Sequence, residues 1–267
     1  MEVYFEMVTY ILAGLLGLCV GSFLNVVIYR TPEGMSLASP GSHCPKCKYV
    51  LKWYDNVPLI SYLLLRGRCR SCGEKISFRY TAVELSNMLL WLLAVVMFWE
   101  KSILFACIAA LASSLLICVF FIDLEHKLVF DRFVLLLGAL GMGTMFTDPH
   151  YGWLSHLIGG IAGFASFYGI ALLYTKVRGN EGLGGGDIKL TAVCGLLLGW
   201  QRLLLSILLA TVAASIVLVI LSRRAGAEDE EGENGEYPFA PFLTSAFAIA
   251  LFWGSDLITA YLSLLGV

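Results

Sequence analysis

Apolar residues do not alternate along this chain. They run on in blocks separated by short polar breaks, at about 8–29, 82–99, 102–122, 133–147, 155–175, 188–200, 203–222 and 241–264. About 20 apolar residues in a helix cover a hydrocarbon core of about 30 Å. Continuous runs predict helices, because each strand of a membrane barrel would need one polar and one apolar face. The pattern predicts an all-α polytopic membrane protein of about eight transmembrane helices, with seven to nine compatible. The sixth run is short, and Trp200-Gln201-Arg202 separates it only softly from the seventh.

Composition leads to the same class. Hydrophobic residues make up 58% and charged residues 14% of the 267, with a mean hydropathy of +0.80. Soluble domains average about 45–50% apolar and about 25% charged. A soluble enzyme is therefore excluded, as are fibrous, disordered and small disulfide-stapled chains. Met1–Met7 holds two Glu and no Lys or Arg, and the first apolar run is too long for a removable signal. It is expected to remain as a transmembrane helix.

Lys and Arg placement orients the bundle. With the N-terminus outside, segments 30–81, 123–132, 176–187 and 223–240 are cytoplasmic and carry 15 of the 18 basic residues. Lys189 adds one more, leaving Lys101 and Arg202 outside. Three parts are expected: a first transmembrane helix (1–30), a polar cytoplasmic insert (31–81) and a membrane-embedded helical core (82–267). Ala227–Tyr237 is acidic and is expected to be a solvated linker. No internal repeat is evident.

The eight cysteines divide. Cys19, Cys107, Cys118 and Cys194 lie singly in apolar runs, where a thiol behaves as a small hydrophobe. Cys44-Pro45-Lys46-Cys47 and Cys69-Arg70-Ser71-Cys72 form two pairs with 21 residues between them. Four thiolates so spaced can surround one Zn²⁺. The rival is two disulfides, which a reducing cytoplasm disfavours. A closed set of four ligands leaves no position for a catalytic water, so this zinc would be structural. Lys46, Lys48, Arg68 and Arg70 would offset its charge. Nucleic-acid binding is not expected of so small a membrane-tethered insert.

Acidic residues are scarce in the runs, so those at their ends are informative. Asp123 closes the third run, and Asp187 opens the sixth after Gly184-Gly185-Gly186. The orientation puts both at the cytoplasmic face. Two carboxyls that share a proton can divide the work of peptide hydrolysis. One takes a proton from water while the other polarises the scissile carbonyl. The bland alternatives are helix capping for Asp187, an interfacial charge for Asp123, an N-cap for Asp131 and a solvated face for Glu125, His126 and Lys127.

These motifs, in order, resemble bacterial type IV prepilin peptidases, the membrane aspartic proteases with a Gly-x-Gly-Asp motif. The resemblance covers nearly the whole chain. It rests on Gly21-Ser22-Phe23-Leu24-Asn25-Val26-Val27-Ile28-Tyr29-Arg30, the cysteine pairs, Asp55-Asn56-Val57-Pro58-Leu59-Ile60-Ser61-Tyr62 and Arg79-Tyr80-Thr81-Ala82-Val83-Glu84. Asp123 and Asp187, and Pro238-Phe239-Ala240-Pro241-Phe242-Leu243, complete it. It implies that Asp123 and Asp187 are catalytic. It also implies removal of a basic leader from type IV prepilins and type II secretion pseudopilins at the cytoplasmic face of the bacterial inner membrane. The full insert is similar to that of bifunctional members, which methylate the new N-terminal amine with S-adenosylmethionine. Two departures are Val129-Phe130-Asp131, where the family usually has Leu-Pro-Asp, and Ala240, where Gly is common. Neither is expected to touch the aspartate pair.

Where S-adenosylmethionine would bind is not legible. Gly21, Ser22, Asn25 and Glu84 are weak candidates. Gly17-x-x-x-Gly21 also reads as a helix contact with Asn25 as interhelical glue, and Thr81-x-x-Glu84 as a capping box. Two alternatives compete: a peptidase without methylation, and a non-enzymatic zinc-stabilised assembly protein or transporter. A transporter would place its carboxylates near the midplane, not at run ends. The identity of the pilin served and the oligomeric state are unreadable.

Overall fold

A computed structural model describes residues 2–179, 184–225 and 238–266. The acidic segment Ala227–Tyr237 and the first residues of the glycine loop lie outside them. The described residues are almost wholly helical and contain no strand, only isolated bridges at His43–Val50 and Arg68–Lys75. Each expected run is a helix: α1 (Glu2–Arg30), α3 (Phe78–Phe98), α4 (Ile103–His126), α5 (Asp131–Thr147), α6 (Trp153–Arg178), α7 (Gly185–Leu198), α8 (Trp200–Ala225) and α9 (Ala240–Leu264). A short helix, α2 (Ile60–Leu64), lies in the insert.

Six of these, α1, α3, α4, α6, α8 and α9, are long and apolar enough to cross a membrane. The other two are shorter, α5 with 17 residues and α7 with 14. At 1.5 Å per residue α7 covers only about 21 Å, less than a hydrocarbon core of about 30 Å. Large apolar side chains such as Phe146, Leu135 and Leu173 stay exposed, as lipid-facing residues must. The chain is a multi-pass membrane protein.

Two compact units meet inside α4, Met1–Cys118 and Val119–Val267. In the first, α1 lies against α3 through small residues. A Cβ added to Gly17 would come within 2.9 Å of Met88 Cα, and one on Gly21 within 2.8 Å of Glu84 Cα. Such backbones touch only because the glycines carry no side chain. Asn87, fully buried, donates to Gly17 O at 2.7 Å and accepts from Ser114 Oγ at 2.7 Å. Asn25 Nδ2 donates to Tyr80 O at 3.0 Å, so the interhelical reading of Gly17, Gly21 and Asn25 holds. The capping box does not. α3 starts at Phe78, capped by Ser77, whose side chain accepts from Arg79 N. Thr81 and Glu84 are already inside the helix, with Glu84 turned to another task.

The second unit is arranged around α7, which packs against α5, α6, α8 and α9. Gly159 of α6 and Gly195 of α7 bring two backbones together: a Cβ on Gly159 would fall 2.3 Å from Gly195 O. Gly199, with φ +82°, ends α7 and leads directly into α8. The soft boundary between the sixth and seventh runs is thus a one-residue turn. Arg202, which departs from the basic-residue pattern, is no loop cation. It is 1% exposed, bonded to the buried carboxylate of Asp148 and placed 4.8 Å over the Tyr151 ring. His156 Nε2 lies 3.3 Å from the same carboxylate. A paired, buried charge carries little information about sidedness.

Candidate active site and zinc site

Asp123 occupies the last turn of α4. Its C=O accepts from the N–H of Lys127, whose positive φ of 54° ends the helix in the usual left-handed way. The side chain is buried, 6% exposed, and its Oδ2 has no hydrogen-bond partner among the described residues. Asp187 lies in the first turn of α7, half-buried. It does not cap that helix: Gly184 is the cap residue, and Asp187 N donates back to Gly184 O at 3.0 Å. Asp123 at the end of α4 and Asp187 at the start of α7, 64 apart in sequence, both fall within the second unit.

The α4–α5 turn and the start of α7 hold this arrangement. A Cβ on Gly186 would meet Val129 Cβ at 2.8 Å. Lys189 Nζ lies 2.8 Å from Asp131 Oδ1, an exposed pair. Asp131 is therefore the first residue of α5 rather than its cap, which is Phe130. Ala240, the first residue of α9, is fully buried. Of the two departures from the family pattern, the one at Val129-Phe130 lies against Gly186, the sequence neighbour of Asp187. Glu125, His126 and Lys127 are exposed, as a solvated face requires.

In the insert, the sulfurs of Cys44, Cys47, Cys69 and Cys72 all lie within 4.8 Å of one another. The Cys44–Cys72 and Cys47–Cys69 sulfurs are each 3.9 Å apart. Tetrahedral Zn–S bonds of about 2.3 Å place sulfurs about 3.8 Å apart, so the donor set fits zinc. A disulfide needs about 2.05 Å. The two pairs also repeat one loop geometry. Lys48 N donates to Cys44 O and Cys44 N to Tyr49 O; Gly73 N donates to Cys69 O and Cys69 N to Glu74 O. Lys48 and Gly73 both take positive φ, 58° and 72°. This repeat is invisible in the residues, since backbone bonding defines it. Of the four cations meant to offset the thiolates, Lys46 is paired with Glu74 and Arg70 with Asp55, at 2.7 Å for the latter. Burial pushes the Asp55 carboxyl up, but the bonded Arg70 guanidinium, together with the Lys52 backbone and the Tyr49 hydroxyl, holds it below the ordinary carboxylate range.

Beside this cluster lies a cavity of about 350 Å³ within the first unit. Ser22 and Asn25 from α1, Asp55 and Leu59 from the insert, and Thr81 and Glu84 from α3 contribute to its wall. Glu84 Oε2 accepts the Leu59 N–H at 2.9 Å. Three of the four weak candidates, Ser22, Asn25 and Glu84, share this space; Gly21 instead serves the α1–α3 contact.

Two family profiles match the chain: the bacterial peptidase A24 N-terminal domain over residues 15–98 and the type IV leader peptidase family over residues 110–219. A prepilin leader peptidase/N-methyltransferase of Pseudomonas aeruginosa is 36% identical, the match covering 94% of this chain and 93% of the relative. The chain belongs to the type IV leader peptidase family. Proteins of the same name from Myxococcus xanthus and Klebsiella pneumoniae are 39% and 37% identical, over 86% and 74% of this chain and 69% and 89% of theirs. No solved structure matches significantly. Within this leader peptidase, the family's second profile spans both aspartates, and the first spans the four cysteines and the cavity. Sequence reasoning missed the Asp148–His156–Arg202 group. The one available signal for it was a cation, Arg202, beside an uninterrupted apolar run.

Proposed function

We propose that this protein removes the basic leader from type IV prepilins and type II secretion pseudopilins and methylates the amine so exposed. Asp123 and Asp187 are the catalytic pair. One carboxylate takes a proton from a water whose oxygen adds to the scissile carbonyl, and the protonated partner donates a hydrogen bond to that carbonyl. Collapse of the adduct expels the amine, which leaves with a proton. The observation that carries this reading is Asp123, buried at the end of α4 with its Oδ2 unpartnered among the described residues, in the same compact unit as Asp187.

In this reading the protein is multi-pass in the inner membrane of a bacterium, with its N-terminus periplasmic and both aspartates at the cytoplasmic rim. A prepilin couples a basic leader to an apolar helix, so its junction lies at that depth. About eight helices would cross or enter the bilayer, with 31–81 as the cytoplasmic insert between the first helix and the 82–267 core. Cys44, Cys47, Cys69 and Cys72 hold a structural zinc that ties the two halves of the insert together. When bound, S-adenosylmethionine supplies an electrophilic methyl group. Purified protein incubated with a prepilin and labelled S-adenosylmethionine tests both activities by mass. The expected products are the free leader and a mature pilin one methyl heavier. An intact prepilin refutes the reading, and an unmethylated mature product refutes its second half.

A further inference from the structure

One stripe of the short helix α2 is apolar and faces away from the protein. Ser61 and Tyr62, with Leu65 just after the helix, line the cavity of the first unit. Ser61 Oγ ties that side to the insert, donating to Tyr54 O at 2.8 Å and accepting from Val57 N at 3.0 Å. Ile60, Leu63 and Leu64, spaced i, i+3, i+4, share the opposite side. Leu63 is 73% and Leu64 76% exposed. Such exposure is ordinary on a helix that crosses lipid. Here it belongs to a segment of polar composition, where an apolar cluster left in water marks a contact surface.

The register of α1 and α3 gives the depth of that stripe. α3 has 21 residues and spans roughly 31 Å, hardly more than a hydrocarbon core of about 30 Å. Its first residue, the exposed Phe78, therefore stands at the membrane surface. Glu84 lies six residues further in, about 9 Å along the axis, and holds the N–H of Leu59, the residue before α2. Asn56 and Pro58 share a pocket wall with Ser22, Phe23 and Val26 of α1. The contacts of Gly21 with Glu84 and of Asn25 with Tyr80 put these α1 residues at the same depth. The insert thus leaves the membrane after α1 and returns to it at Asn56–Leu59. Phe23, itself exposed, extends the lipid-facing surface to the segment that leads into α2. Beyond the stripe the chain turns at Arg66 and Gly67, both with positive φ, 51° and 66°. Arg66 and Arg68 are exposed and form no ion pair among the described residues.

We propose that α2 anchors the insert in the bilayer, with Ile60, Leu63 and Leu64 among the acyl chains and Arg66 and Arg68 at the phospholipid phosphates of that leaflet. Lipid is the occupant because the residues entering α2 lie at leaflet depth and the charge following it complements a phosphate layer. Interfacial amphipathic segments bury their apolar face by about 5–10 Å, the depth at which Glu84 holds Leu59. Arginines reach outward from such a segment on their long stems. The proposal rests on α1 and α3 crossing the membrane, and on neither the aspartate pair nor methyl transfer.

The test places an environment-sensitive fluorescent amino acid at position 63 or 64 of the full chain. Position 33, exposed in the turn beyond α1, serves as the comparison. The protein is reconstituted in vesicles of phosphatidylethanolamine and phosphatidylglycerol, some of it brominated in the acyl chains, which quenches only what lies among those chains. Positions 63 and 64 are expected to lose most of their emission, and position 33 almost none. Arg66→Gln/Arg68→Gln is expected to reduce the quenching at position 63; unchanged quenching there overturns the phosphate contact. Unquenched, red-shifted emission at 63 and 64 overturns the proposal by placing α2 in water. Unquenched but blue-shifted emission overturns it by assigning the stripe to protein, a second copy included. Should a labelled variant fail to fold, a phospholipid with a diazirine in its acyl chain, irradiated beside the unmutated protein, decides. Adducts on Ile60–Leu64 support the anchor, and adducts confined to the membrane-crossing helices overturn it.

Discussion

Gly159→Ala adds one methyl group where two helix backbones already touch. Its Cβ would lie 2.3 Å from Gly195 O, 2.8 Å from Gly199 C and 2.9 Å from Trp200 N. All three are backbone atoms and cannot rotate away. Ordinary van der Waals contact begins near 3.4 Å, so α6 and α7 must separate by roughly 1 Å, and overpacking of this kind costs about 1–3 kcal/mol. The functional loss is larger than the stability loss suggests, because α7 carries Asp187 in its first turn. A misplacement of about 1 Å at a catalytic group costs about 10²-fold in rate. The neighbouring Gly160→Ala is the control: its Cβ would find no atom nearer than 3.5 Å, and alanine improves helix propensity by up to about 1 kcal/mol. Prepilin cleavage in membranes and melting in detergent, measured for both, are expected to show a severe defect at 159 and near wild-type behaviour at 160. Equal behaviour of the two variants would refute the claim that the α6–α7 glycine contact sets the position of Asp187.

Cys44→Ser or Cys72→Ser should release zinc, read by metal analysis of reduced protein, and make the 31–81 segment protease-sensitive; full metal retention would exclude the four-sulfur site. Arg202→Met leaves the Asp148 carboxylate buried without its guanidinium and should destabilise by about 3–5 kcal/mol, seen as a large drop in melting temperature. The double variant Asp148→Asn/Arg202→Met should recover part of that loss. Lys189→Met breaks only an exposed pair with Asp131, worth at most about 1 kcal/mol; cleavage within about twofold of wild type is expected.

Much of this arrangement is legible in the residues because its causes are local. Apolar runs must become helices in lipid, and eight helices lie where eight runs were marked, with ends shifted by a few residues. The cysteine pairs carry their own spacing rule, and their sulfurs converge accordingly. What the sequence hid depends on contacts between distant segments. Glu84 reads as half of a capping box until Ser77 takes the capping role three residues before Tyr80 and the carboxylate meets Leu59. Arg202 reads as a loop cation until Asp148 pairs with it. The shortness of α7 follows from Gly199, whose positive φ of 82° with an extended ψ ends the helix within a nearly continuous apolar stretch.

The aspartate pair is the centre of the account, and one comparison tests it most directly: rates of prepilin cleavage by Asp123→Asn and Asp187→Asn in native membranes, with zinc content measured alongside. Each single variant is expected to lose cleavage entirely while keeping its metal, since neither amide can exchange the proton that the pair must share. Wild-type cleavage in either variant would contradict it.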